Sequence, residues 1–219
     1  RQHPFEGFAW EWFQIFSKPH IEIATAQTYE KAIKNHIMPV LSEMMLEEIR
    51  PANIQLIFNR MDSAKETKLK VRNILNMIFE RALEEEIIAK NTLRSQGIRI
   101  TGRASKPTEP YTINQMRYLV QNINRLSRLD DQRYLAIHAL HPLRLEEVLG
   151  LQWQDIDCEN GFIHIERAVT HPSRNEPHIK SPKTAASRRT LHLAPQVHCY
   201  LPAGIPTHFI LGGENPLSY

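Results

Sequence analysis

Arg144 lies in the stretch HALHPLRLEEVLGLQWQDID, residues 138–157, just behind Pro142 and within an apolar run that includes Leu140, Leu143, Val148, Leu149 and Leu151. An arginine at such a place cannot shed its charge, so it requires a carboxylate or an anionic ligand. Glu147 follows three residues later, one helical turn on and close enough to orient the guanidinium. Two readings follow from this spacing. Either the pair is buried and only fixes the helix, or Arg144 is held inward to grip an anion.

Two further groups of cations bear on the choice. Between residues 167 and 189 stand Arg167, Arg174, Lys180, Lys183, Arg188 and Arg189, against Glu176 alone. Such a cluster fits a solvated loop or a surface that faces phosphates. Lys65, Lys68 and Arg72 are spaced to project together from one face of a helix, for which solvation is the simple account. His138 and His141 are three residues apart without a nearby third ligand, and Cys158 and Cys199 are far from zinc-site spacing, so neither a metal nor a cofactor is expected.

Around these residues the chain divides. Its 219 residues, 42% hydrophobic and 23% charged, are those of a folded protein with one good-sized core or two modest ones. The net charge of +3 is compatible with a polyanionic partner. No apolar run is long enough to span a membrane, no signal peptide opens the sequence, and two cysteines suit a reducing cytosol, so the expected location is cytoplasmic. Residues 1–96 have helical periodicity. Thr25 is expected to cap a second helix that Pro39 stops, and Pro51 to open a third. Ser63 and Glu66 have capping-box spacing at the head of a helix with Val71, Ile74, Leu75, Ile78 and Ala82 on one stripe. Residues 97–110 combine glycine, proline and basic residues without a period and read as a linker, with the boundary near Lys106. In residues 111–219, Thr112 is expected to cap a helix, a second leads into the stretch around Arg144, and GFIHIE and RRTLHL alternate like strands. Between those strands lies a long basic connection. The expected fold class is mainly α: a helical domain, then a mixed α+β domain with a small antiparallel sheet.

HPLRLEEVLGLQWQDID resembles the first arginine box of the tyrosine recombinases, the phage-integrase family. That box runs Thr-Gly-x-Arg-x-x-Glu and then Leu-x-Leu-x-Trp-x-Asp-Ile-Asp. Arg144, Glu147, Leu149, Leu151, Trp153, Asp155, Ile156 and Asp157 fall on it. KSPKTAASRRTLHL is similar to the family's lysine-bearing β-hairpin, with Lys183, Thr184, Ser187, Arg189, Leu191 and Leu193 on matching or closely substituted positions. His141-Pro142 replaces the usual Thr-Gly, while Pro182 and His192 depart from the hairpin pattern. TAQTYEKAIKNHIMPVLSEMMLEEIRPANI looks like the family's helical core-binding domain (SAM-like), and PYTINQM like the start of its catalytic domain.

The resemblance implies site-specific DNA recombination through a covalent 3′-phosphotyrosyl link, without metal or ATP. It makes Arg144 a clamp on the scissile phosphate, Glu147 its support and Lys183 the general acid. Lys65, Lys68, Arg72, Lys180, Arg188 and Arg189 become phosphate contacts to double-stranded DNA. The His-x-x-Arg box and the nucleophilic tyrosine are not found after Arg189, and neither Tyr200 nor Tyr219 has such a box ahead of it. A truncated recombinase is expected, binding DNA without cutting it and monomeric in isolation, where a full-length one acts as a tetramer on paired sites. The alternative is a non-catalytic remnant that occupies recombination sites.

Overall fold

The computed structural model describes residues 2–104, 107–173, 176–181 and 187–217. The chain forms two compact units, Arg1–Thr108 and Glu109–Tyr219, each with its own apolar core. Lys106, near the expected boundary, lies outside the described residues. No helix among the described residues is long and apolar enough to cross a membrane.

The first unit is helical. It contains α1 (Phe5–Glu11), α2 (Ile23–Ala32), α3 (Met38–Leu41), α4 (Pro51–Arg60) and α5 (Lys65–Glu84), packed around Phe5, Phe13, Phe58 and Phe79. The stripe Val71, Ile74, Leu75, Ile78 and Ala82 is buried, as the spacing predicts. Three details differ from the sequence reading. α2 begins at Ile23, so Thr25 lies inside it. The helical path also continues through Pro39 to Leu41. A widened π turn at Ile33–Ile37 directly precedes Met38, and it loosens the ladder where the proline lacks an N–H and its ring would crowd the preceding turn. Finally, α5 starts after Ala64 with no side-chain cap from Ser63.

The head of α5 is met instead by the stretch read as a linker. Lys65 N donates to Arg103 O at 3.1 Å. Gln55 exchanges hydrogen bonds with the Arg99 backbone, receiving from Arg99 N at 2.7 Å and donating to Arg99 O at 3.0 Å. Gly102 permits this approach, since a Cβ there would lie 2.9 Å from Lys65 N. Ile98 and Ile100 pack on the first core. Residues 98–103 are therefore part of the first unit.

The second unit begins with α6 (Ile113–Gln121). Thr112 caps it as expected: Thr112 Oγ1 accepts from Gln115 N, and Gln115 Oε1 accepts in turn from Thr112 N. Next come α7 (Leu129–Leu140) and the short α8 (Leu145–Leu149). The strands are β1 (Ile156–Asp157), β2 (Phe162–Ile165), β3 (Ala168–Ser173), β4 (Glu176–Lys180) and β5 (Arg189–His192). β1, β2 and β5 form an antiparallel sheet in that order, with Ile163 opposite Leu191 and Ile165 opposite Arg189. β3 and β4 form a separate antiparallel hairpin inside what the sequence presented as a polar connection. Pro172 and Pro177 obscured it, because proline argues against strand. The structure places the register irregularity between Thr170 and Ser173, beside Pro172.

Candidate functional site

The stretch around Arg144 is two helices with a break between them, rather than one amphipathic helix. α7 ends at Leu140, and His141 is extended at φ −132° and ψ 143°, the region that a following proline favours. Pro142 thus lies in the break and not in a first helical turn. Arg144, also extended, is the N-cap of α8. The break is held by two histidines. His141 Nδ1 donates to Ile137 O at 2.8 Å, which leaves Nε2 to accept from Ala194 N at 3.0 Å. His138 Nε2 donates to Leu143 O at 3.1 Å, so its Nδ1 accepts from the Tyr134 hydroxyl at 3.1 Å. Both rings are occupied as structural bridges.

This geometry turns the Arg144 guanidinium outward. Its side chain is 73% exposed, whereas Glu147 is only 5% exposed. The inward-held arginine expected from the apolar pattern is therefore corrected, because an N-cap side chain is free of the helix's buried stripe. Arg144 still has its carboxylate: Nη1 donates to Glu147 Oε1 at 2.8 Å, and the Arg144 backbone N donates to Oε2 at 2.8 Å. A second arginine reaches the same group. Arg189, at the start of β5, places Nη1 3.0 Å from Oε1 and Nη2 2.9 Å from Oε2. Burial pushes the Glu147 carboxyl up, but hydrogen bonds from Arg189, the Arg144 backbone and the Arg144 side chain outweigh it and hold the group at about 2. Glu147 is thus a buried anion shared by two cations, one turned to solvent and one packed behind.

The other predicted residues are distributed differently. Lys180 Nζ lies 3.2 Å from Glu146 Oε2, one residue from the shared carboxylate, which brings β4 to the same end of α8. Arg188 is exposed and 3.7 Å from Glu166. Lys183 lies outside the described residues. In the first unit Lys65 is exposed and Arg72 half-buried, but Lys68 does not project with them. It is buried and donates through Nζ to Phe58 O at 2.9 Å, closing the end of α4. The spacing that aligned the three cations took no account of α4, which packs over the middle one.

Sequence reasoning missed the Asp155–Arg167 pair. Asp155 Oδ2 accepts from Gln152 N at 2.8 Å and also from Arg167, which bridges to Gly150 O at 3.4 Å. Asp155 is buried, so the Trp-x-Asp turn locks the exit of α8 to the start of β3. The signal was an acidic residue one turn after a polar N-cap, but its cation lies twelve residues on and only the fold brings it close. Tyr200 packs against the second core, and burial, then Cys199, pushes its hydroxyl up, away from the range of a ready nucleophile.

Comparison with known proteins adds to this geometry. Residues 5–61 match the family described as phage integrase, N-terminal SAM-like domain. A tyrosine recombinase XerC-like protein of Caldanaerobacter subterraneus subsp. tengcongensis is 28% identical over 154 residues, covering 67% of this chain and 39% of that protein. Both matches support the tyrosine recombinase, or phage integrase, family for this chain. The fold agrees. The Tn1549 transposon integrase in complex with circular intermediate DNA superposes with a TM-score of 0.78 at 17% identity, over 99% of this chain and 74% of that chain. A second Tn1549 integrase complex gives 0.76 at 18%, over 90% and 63%. A lambda integrase dimer bound to a COC′ core site gives 0.61 at 17%, over 83% and 49%. The chain spans about two fifths of the curated relative's length.

Proposed function

We propose that this chain is part of a site-specific DNA recombinase that cleaves and rejoins strands through a 3′-phosphotyrosyl intermediate. The observation that carries this is the outward guanidinium of Arg144, fixed by a buried carboxylate that a second arginine supports. A planar cation with open donors, oriented before the ligand arrives, suits the non-bridging oxygens of a phosphodiester as charge develops on them. Lys183 is the general acid of this reading, protonating the leaving 5′-oxygen while a tyrosine oxygen bonds to phosphorus. Lys65, Arg72, Lys180 and Arg188 neutralise neighbouring phosphates of the duplex, each contact steepening the log–log salt dependence by about 0.9. The full recombinase acts as a tetramer on paired sites. The 219-residue span binds duplex as a monomer without cutting it, and no residue of the span is assigned here as the nucleophile.

The test uses this span and the product of the complete reading frame, each with Arg144 intact and as Arg144→Ala. The expected result is salt-sensitive duplex binding by both proteins and a covalent protein–DNA adduct, resistant to detergent, with the complete product alone. Arg144→Ala should lower the rate of adduct formation by about 10²–10³-fold, the scale for loss of one transition-state donor. Unchanged binding and unchanged adduct formation in Arg144→Ala would overturn the proposal. Binding without adduct by the complete product would leave a non-catalytic occupant of recombination sites in its place.

A further inference from the structure

Arg189 was grouped by sequence with the phosphate-binding cations, but its surroundings differ from those of Arg144. Its fork is already engaged: Nη1 and Nη2 are on the two oxygens of Glu147, Nη2 also donates to Pro142 O at 3.0 Å, and Nη1 to Ser187 O at 3.3 Å. Its side chain is 27% exposed, against 73% for Arg144. Arg144 commits Nη1 to Glu147, and the rest of its guanidinium has no partner among the described residues.

We infer that Arg189 is a positioning residue, which neutralises Glu147 from behind so that the charge and donors of Arg144 remain available to a DNA phosphate. The inference rests on the reading of Arg144 as the phosphate ligand. Its physical basis is a charge count. Arg144 and Glu147 alone form a neutral pair, in which the arginine's charge is spent on its own carboxylate. With Arg189 the cluster carries a net positive charge, and the cation turned to solvent is the one with free donors. The bond to Pro142 O adds a geometric part, since it ties β5 to the break that sets the backbone of Arg144. A bidentate arginine fills this place better than a lysine, because only a planar fork meets both carboxylate oxygens and a third acceptor together.

The test is a double-mutant cycle on the 219-residue chain, read as duplex affinity against salt, with thermal melting as a check on folding. Arg144→Ala should reduce the log–log salt slope by about 0.9, one phosphate contact. Arg189→Ala should weaken binding when Arg144 is present and have no further effect in the Arg144→Ala background. Arg189→Lys, which keeps a charge against Glu147, should restore part of the loss and carries the same cycle if the alanine variant does not fold. A double variant that loses a further 0.9 in slope would make Arg189 a phosphate ligand itself and overturn the inference. Arg189→Ala binding as tightly as the parent while Arg144→Ala is impaired would also overturn it, leaving the proposed function standing. If Arg144→Ala alone leaves affinity and slope unchanged, the underlying reading of Arg144 fails.

Discussion

Replacing Glu147 by glutamine keeps the shape of the side chain and removes its charge, and the consequence depends on pH. The folded protein holds this carboxyl at about 2 against an ordinary value of 4.5. That difference corresponds to about 3 kcal/mol in favour of the folded state whenever the group is ionised in both states. Because the folded value is the depressed one, this stabilisation is complete above about pH 5 and is lost as pH falls toward 2. By pH 3 about 2 kcal/mol of it is gone. Glu147→Gln never has it. Urea unfolding of parent and variant, followed through the amide cross-peaks of Ile163 and Ile165 in β2, should show a stability gap that narrows by about 2 kcal/mol between pH 7 and pH 3. The carboxyls of Glu47, Glu80 and Asp157 are also held below their usual range, but they are common to both proteins and cancel in the difference. Parallel curves across that pH range would refute the picture of an ionised Glu147 gripped by two arginines.

Three further outcomes are expected. Lys68→Ala should destabilise the first unit by about 1–3 kcal/mol through the lost bond to Phe58 O and leave the salt slope of duplex binding unchanged, whereas Lys65→Ala should flatten that slope by about 0.9 at little cost in stability. His141→Ala leaves the Ala194 N–H without its acceptor and should cost about 1–3 kcal/mol in urea unfolding of the second unit. In Gly150→Ala the new methyl would stand 2.8 Å from Arg167 O, a backbone atom that cannot swing aside, so α8 must shift from β3. Melting should report a loss of about 1–3 kcal/mol, and duplex affinity should fall with it as Arg144 is displaced.

The features legible in the sequence were those set by neighbours along the chain. The α5 stripe, the cap at Thr112 and the pairing of Arg144 with Glu147 each depend on groups three or four residues apart. What the sequence hid was decided by residues far away. Lys68 was read as outward because its own helix allows that, and its acceptor belongs to α4. Ser63 fitted a cap, but α5 starts after Ala64 and Arg103 O accepts from Lys65 N at its head. Arg144 was expected inward because of the apolar residues around it; as the N-cap of α8 the same residue faces out. The hairpin of β3 and β4 was concealed by two prolines that the register irregularity and strand ends accommodate.

Arg189 reaches Glu147 across 42 residues of chain, and this has a consequence for the order of folding. α8 can wind on bonds within its own turn, on the timescale of helix formation. The second arginine arrives only when β5 has paired with β2, a closure that spans the whole β3–β4 hairpin and must overcome its loop entropy. Until then the stretch offers only the neutral pair of Arg144 and Glu147. Until the sheet closes the Arg144–Glu147 pair is thus neutral, and the net positive charge of the cluster appears with the sheet. Pulsed hydrogen exchange during refolding should protect the α8 amides before the amides that pair β2 with β5; the reverse order would contradict this sequence of events.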